Sequence, residues 1–114
     1  MHRASTAMTA YNLLNGRPAS ASSELIRGAL REEFGFDGMV MTDWHAYDTC
    51  DVDEMVIAGN NWITPGSPDD TFTAPIVAAV TDGRLTVDEL RASVTHLVRV
   101  VAELTGSVPP DDAV

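Results

Sequence analysis

Short, largely apolar runs alternate with amphipathic segments along the chain, and clusters of turn-forming residues separate them. The apolar runs predict strands at residues 7–11, 38–43 and 61–64. The amphipathic segments, whose apolar residues recur every three or four positions, predict helices at residues 22–34, 51–58, 73–82 and 86–104. The predicted order of elements is therefore β-α-β-α-β-α-α.

The helix termini carry capping signals that support these boundaries. Ser22 or Ser23 can cap the first helix, and Gly35 is placed to end it. Thr86 and Glu89 have the spacing of a capping box at the start of the last helix. The side chains expected to face the core share the helical period: Leu25, Ile26, Ala29, Leu30 and Phe34; Val52, Met55 and Val56; Ile76, Val77 and Val80; Leu90, Val94, Leu97, Val98, Val101 and Leu104.

Strands that alternate with helices predict an α/β fold, with three parallel strands joined by right-handed crossovers. Three strands make a small sheet, because a closed (β/α)8 barrel takes about 250 residues. We therefore expect residues 1–104 to be a partial TIM-barrel segment. Residues 105–114 lack periodicity and include Pro109 and Pro110, so they predict a disordered tail or linker.

Composition excludes several classes of protein. The 17 acidic residues against 7 arginines, with no lysine, give a formal net charge of -10, which opposes binding to nucleic acid or to an anionic membrane. A single cysteine, Cys50, excludes an internal disulfide. The start of the chain has no apolar signal-peptide core, so we expect a cytoplasmic protein, unless the chain is part of a longer secreted enzyme.

The second predicted strand ends in Met41-Thr42-Asp43-Trp44, which puts a carboxylate at the carboxyl end of a buried strand. Parallel sheets carry their chemistry at this edge, so Asp43 is well placed to act on a ligand. Asp is also a common helix N-cap after a strand. From the residues alone, both roles for Asp43 remain open.

Several motifs, in order, resemble those of glycoside hydrolase family 3, the retaining β-glucosidases, β-xylosidases and relatives. They are Met8 to Asn12, Asn15-Gly16, Leu30 to Gly38, Val40 to Trp44 and Ala58 to Gly66. The resemblance runs from about residue 7 to residue 104. It implies that the chain covers roughly strands six to eight of the family's barrel, and that the complete enzyme takes a β-glycoside or oligosaccharide.

The same resemblance implies roles for four residues. Asp43 matches the family's nucleophile, which attacks the anomeric carbon in a retaining mechanism. Tyr11, Trp44 and Met8 match positions that contact the sugar. Two departures from the family are Asn61, where Asp is frequent, and Thr64, where an apolar residue or Met is frequent.

Parts of the family's site are missing from this sequence. The family binds the sugar with a Lys-His pair, and this chain has no lysine. A retaining enzyme also needs a second carboxyl about 5 Å from the nucleophile, but every glutamate falls on a predicted helix, where we expect a solvated face. The three histidines lie in different elements without ligand spacing, so we expect neither a metal nor another cofactor.

These observations lead to a primary hypothesis and two alternatives. The chain is expected to be a fragment of a retaining glycoside hydrolase that carries the nucleophile but is inactive alone. The first alternative is a structural fragment that forms a homo-oligomer through exposed sheet edges. The second is a small-molecule-binding α/β domain without catalysis, although the sequence has no glycine-rich phosphate loop after a strand.

Overall fold

The computed structural model describes residues 4–106. Its strands are β1 (Thr6–Thr9), β2 (Leu13–Leu14), β3 (Arg17–Pro18) and β4 (Met39–Thr42). The α-helices are α1 (Val52–Ala58), α2 (Thr73–Thr81) and α3 (Val87–Thr105), and Glu24–Glu33 forms a π-helix. Two 3₁₀ turns, Ala19–Ala21 and Ala46–Asp48, complete the described elements. Thr105, where the tail was predicted to begin, is the last residue of α3, and residues 107–114 lie outside the described part.

The central sheet is a parallel pair, β1 and β4, in register from Thr6↔Met39 to Thr9↔Thr42. These are the first two predicted strands, which confirms them. The third predicted strand, at 61–64, is reduced to one parallel bridge, Met41↔Trp62. The reason is chemical: the Thr64 N–H donates to the Thr42 hydroxyl at 3.0 Å instead of to a backbone carbonyl, and Pro65 has no N–H to continue a ladder.

β2 and β3 form a small antiparallel hairpin between the first predicted strand and the first predicted helix, where the sequence predicted no regular element. Leu13 pairs with Pro18 and Leu14 with Arg17. The turn between them consists of Asn15 and Gly16, at φ 52° and 79°. An Asn-Gly pair with both residues at positive φ is the favoured two-residue hairpin turn, so the sequence held a signal for this element.

The first predicted helix is present but is wound as a π-helix, with the Phe34 N–H bonded to the Ala29 carbonyl five residues earlier. Because a π-helix has more residues per turn than an α-helix, side chains near its end do not face the direction that the α-helical period predicts. Ile26 is buried against Val40 and Ala58, as predicted, whereas Phe34 is 76% exposed. The expectation that Phe34 faces the core is therefore wrong.

The main core lies between α1, α2 and the segment after β4. Its buried members are Ala46, Val52, Met55, Val56, Ile63, Ala79 and Leu85. Four further residues predicted to face inward are exposed: Val77, Val94, Val101 and Leu104. In α2 the buried position is Ala79. Helix α3 buries Val100 and Ala102 and bonds to the body through Ser93 and His96, which leaves Val94, Val101 and Leu104 exposed.

The helices of the described region are amphipathic or short. None of those between residues 4 and 106 is long and apolar enough to cross a membrane. The capping box predicted for α3 is present, with Thr86 and Glu89 exchanging hydrogen bonds at its first turn. The long last helix thus begins where the sequence predicted.

Candidate functional site

Asp43 lies immediately after β4, at the carboxyl end of the parallel pair. Its backbone N–H donates to the Thr9 carbonyl at 3.1 Å, which ties it to the end of β1. Its Oδ1 accepts the Trp44 N–H at 2.7 Å. The nearest following helical turn begins after His45 and has no side-chain cap, so the carboxylate stabilises a local turn and does not cap a helix. The side chain stays partly accessible.

Tyr11 reaches the same turn from the end of β1. Its hydroxyl donates to the Trp44 carbonyl next to the Asp43 carboxylate. Desolvation, followed by the interaction with the Asp43 carboxylate and the negative charge of Asp48, raises the pKa of the Tyr11 phenol above its ordinary value. The structure therefore brings together three of the residues selected from the sequence.

Trp44 begins a row of rings that leads away from Asp43. Its ring centroid lies 6.4 Å from that of His45, which lies 5.3 Å from Tyr47, and the Tyr47 and Phe72 centroids are 4.9 Å apart. The indole is 62% exposed. An accessible flat ring beside a carboxylate can stack against the apolar face of a sugar.

Met8 lies on β1 in register with Met41, which in turn bridges to Trp62. Residues in register on parallel strands point to the same face of the sheet, and two of the three are open: Met8 is 61% exposed and Trp62 47%. Asp43 follows two positions after Met41, just beyond the end of β4. Met8 thus belongs to an open sheet face beside the strand that leads into Asp43.

Buried polar side chains support the turn from beneath, and sequence reasoning did not select them as site residues. The Thr9 hydroxyl donates to Asn60 Oδ1 at 3.0 Å, and Asn60 Nδ2 donates to the Ser20 and Met55 carbonyls at 2.6 and 2.8 Å. A second pair, Thr42 and Thr64, bonds at the end of β4. The available signal was the presence of threonine at the ends of predicted buried strands.

The glutamates do not provide a partner for Asp43 in the described region. All six are exposed on helices, in agreement with the expected solvated faces: Glu24, Glu32, Glu33, Glu54, Glu89 and Glu103. Among residues 4–106, no three His, Cys, Asp or Glu side chains are grouped closely enough to hold a metal ion. His45 instead bonds through Nδ1 to the Tyr47 hydroxyl.

Comparison with known protein families gives a match over most of the chain. The model of the glycosyl hydrolase family 3 N terminal domain matches residues 2–100. Among curated proteins, a β-glucosidase of Rhizobium radiobacter is 37% identical over 91 residues, which are 80% of this chain and 11% of that protein. This chain therefore spans about one tenth of the length of that relative.

Solved structures give the same result for the fold. A β-glucosidase 3B from Thermotoga neapolitana, solved in complex with α-D-glucose, superposes with a TM-score of 0.77 and 34% identity, covering 86% of this chain and 14% of that one. The GH3 β-glucosidase of Bifidobacterium adolescentis gives a TM-score of 0.79 and 32% identity, covering 96% of this chain and 16% of that one. The α/β class predicted from the sequence is confirmed.

Proposed function

The chain belongs to glycosyl hydrolase family 3, and from this premise we propose that it is a segment of a retaining β-glycoside hydrolase, with Asp43 as the nucleophile. The observation that carries the proposal is the position of Asp43 at the carboxyl end of β4, beside Tyr11 and Trp44. The carboxyl ends of parallel strands are where barrel enzymes place their reacting groups. In this proposal, residues 1–104 form part of the catalytic barrel.

The chemistry assigned to Asp43 is a double displacement. One carboxylate oxygen attacks the anomeric carbon, a C–O ester bond forms, and the bond to the leaving aglycone oxygen breaks as an acid protonates that oxygen. Water then attacks the anomeric carbon, gives its proton to the same group and releases Asp43 as the carboxylate. The sugar keeps its anomeric configuration because two inversions occur.

Tyr11, Trp44 and Met8 are proposed to contact the sugar. Tyr11 is oriented by its bond to the Trp44 carbonyl, so its hydroxyl is held next to the nucleophile. Trp44 and Met8 offer apolar surface, and both are more than half exposed. These features favour a flat, hydroxyl-rich ligand such as a β-glycoside, which presents apolar C–H faces and polar edges.

We also propose that the 114-residue chain does not catalyse this reaction alone. The proposed mechanism needs an acid about 5 Å from the nucleophile, while the six glutamates are exposed on helices. Positioning and charge stabilisation supply most of the rate enhancement of an enzyme. Without a nearby acid, and without the Lys-His pair with which the family binds the sugar, Asp43 lacks both positioning and charge stabilisation.

The test is hydrolysis of aryl β-glucosides by the purified chain, compared with Asp43→Ala and with Asp48→Ala as a matched control carboxylate. We expect no turnover above background from any of the three. Turnover that only Asp43→Ala abolishes would support the nucleophile and overturn the proposed inactivity. Turnover that Asp43→Ala leaves unchanged would overturn the assignment of Asp43. Binding of a β-glucoside is read separately, from the Trp44 indole resonance.

A second proposal concerns self-association through the sheet edge. β4 pairs with one side of β1, and beside β1 an apolar groove of about 440 Å³ opens against the π-helix. Leu14 and Phe34 line this groove and are exposed. An unpaired strand edge next to apolar surface favours pairing with another chain, so we propose a homo-oligomer.

Sedimentation over a range of concentrations tests this second proposal. Phe34→Lys puts a charge into the groove at a site that is 76% exposed, and we expect it to shift the protein toward monomer. Val101→Lys, on the exposed flank of α3, is the matched control and is expected to leave association unchanged. A monomer at every concentration would contradict the proposal, and an effect of Val101→Lys alone would assign the interface to α3.

A further inference from the structure

Thr64 binds two peptide groups near Asp43: the one that precedes Asp43 and the one that joins Trp44 to His45. Thr64 Oγ1 donates to the Thr42 carbonyl at 2.5 Å, which is the carbonyl of the peptide bond that enters Asp43. The Thr64 N–H donates to Thr42 Oγ1 at 3.0 Å. The Thr64 carbonyl accepts the His45 N–H at 3.3 Å. Thr64 therefore holds the chain one residue before Asp43 and two residues after it.

These contacts lie in a region where movement is restricted. Thr42 is fully buried and Thr64 is 5% exposed, so water does not compete for their hydroxyls. Among the described residues, no buried side-chain nitrogen or oxygen is without a hydrogen-bond partner. Losing one hydroxyl here would leave a buried carbonyl unsatisfied, which favours displacement of the backbone.

Asp43 has few direct restraints of its own. Its N–H is bound to Thr9, its carbonyl accepts the Ala46 N–H at 3.2 Å, and its Oδ1 accepts the N–H of the next residue, Trp44. The Asp43–Trp44 peptide that makes this last bond lies between the two peptide groups that Thr64 holds, so its orientation depends on them. We propose that Thr64 is a positioning residue for the nucleophile, acting through the Thr42 carbonyl and the His45 amide to fix the direction of the Asp43 carboxylate.

The catalytic consequence of this inference rests on the proposed function, in which Asp43 is the nucleophile. The orientation of the Asp43 carboxylate by Thr64 does not depend on that function. A carboxylate displaced by about 1 Å is expected to lose on the order of one hundredfold in rate where it acts as a nucleophile. Thr64 makes no contact with the proposed sugar-binding residues Tyr11 and Met8. Its effect is therefore expected in the rate of the chemical step and not in sugar affinity.

The test uses three variants of the full chain. Thr64→Val removes the hydroxyl and keeps shape and backbone bonds, Thr64→Ser restores the hydroxyl, and Ser20→Ala removes a different buried hydroxyl as a control. The readout is titration of the Tyr11 phenol, followed by the ¹³Cζ resonance and assigned with Tyr11→Phe. Because Asp43 helps to raise the pKa of Tyr11, a displaced Asp43 lowers the titration midpoint toward that of free tyrosine.

We expect a lowered midpoint in Thr64→Val, recovery in Thr64→Ser and no change in Ser20→Ala. A Thr64→Val protein that is folded with an unchanged midpoint would overturn the proposal, as would an equal shift in Ser20→Ala. If Thr64→Val does not fold, Thr64→Ala takes its place, because it removes the same hydroxyl that bonds to the Thr42 carbonyl. A folded Thr64→Ala protein with an unchanged midpoint would overturn the proposal, and a lowered midpoint would support it. Failure of the nucleophile proposal is seen separately, in hydrolysis that Asp43→Ala leaves unchanged.

Discussion

Arg31 donates from Nη2 to Asn61 Oδ1 at 2.8 Å, and the same oxygen accepts the Val40 N–H at 2.7 Å. The amide nitrogen of Asn61 donates to Ser93 Oγ at 3.0 Å. One neutral side chain thus joins the π-helix, β4 and α3. Desolvation, followed by the charge of Arg27, lowers the pKa of Arg31, and the charge of Asp37 partly opposes this.

The first prediction is that Asn61→Asp stabilises the chain. The carboxylate keeps both acceptor bonds, and its bond to Arg31 becomes charge-assisted. Ser93 can rotate its hydroxyl and donate, so no donor is left unpaired. We expect a gain of about 1 kcal/mol in the free energy of unfolding, since the pair is partly buried. Urea unfolding at neutral pH and low salt measures it.

Asn12→Asp is the control for this change, because it adds the same charge at an exposed position. In a chain of net charge -10, an unpaired extra carboxylate is expected to be neutral or slightly destabilising. Equal effects of the two substitutions would contradict a specific contribution from Arg31. A further Arg31→Gln substitution should remove the gain from Asn61→Asp if the ion pair is its source.

The second prediction concerns the end of α1. Gly59 has φ 117°, and a Cβ there would lie 2.9 Å from Ile26 Cγ2, inside the core. Gly59→Ala therefore combines backbone strain with overpacking and is expected to cost roughly 3 kcal/mol. Gly83, at φ 81°, has open space where a methyl group would be added, so Gly83→Ala is expected to cost about 1 kcal/mol from strain alone. Equal midpoints in urea would refute the contribution of packing.

The third prediction concerns Asn60, which is fully buried. Asn60→Ala removes the donor to the buried Ser20 carbonyl and one acceptor of the Thr9 hydroxyl, whereas the Met55 carbonyl keeps its backbone donors. We expect a loss of about 2 kcal/mol, because the Ser20 carbonyl is left buried without its donor. Asn12→Ala, at an exposed site, is expected to stay within about 0.5 kcal/mol of the parent chain. A similar loss at both sites in thermal unfolding would contradict this role.

The sequence predicted those features that local chemistry determines. Val40 and Met41 lie in a continuous apolar run, and the strand β4 forms there. The capping box at Thr86 needs two residues three positions apart, and it formed as predicted. Asp43 was selected because it follows a buried strand, whereas Tyr11 and Trp44 were selected through the family resemblance. Parallel pairing of β1 with β4 brings the three together.

Features that depend on long-range hydrogen bonds were not predictable in the same way. The bridge at Trp62 does not extend into a strand because Thr64 bonds to a side chain 22 residues away. The burial of Asn60 depends on three partners elsewhere along the chain. The exposure of Val94 and Val101 depends on which flank of α3 meets the body, and an apolar period alone does not specify this.

The last prediction is a pH dependence at the start of α3. The Thr86 N–H donates to Glu89 Oε2 at 2.8 Å and the Thr86 hydroxyl to the same oxygen at 2.9 Å. The backbone bond and then the hydroxyl bond lower the pKa of Glu89 below its ordinary value of 4.5. Because the folded-state pKa is lowered, the stabilisation is complete above pH 4.5 and is lost as the pH falls through the folded-state pKa.

Glu89→Gln isolates this contribution, since glutamine can keep the capping-box bonds without the charge. At neutral pH we expect the parent chain to be more stable than Glu89→Gln by roughly 0.5 kcal/mol, a small value because the group is exposed and screened. Urea unfolding from neutral pH down into the acid range should show this difference shrink below pH 4.5. Glu103→Gln removes the same charge from the other end of α3, where the helix dipole opposes it. The difference should therefore have the opposite sign there, and an identical response of the two variants would mean that overall charge, and not the capping box, causes the effect.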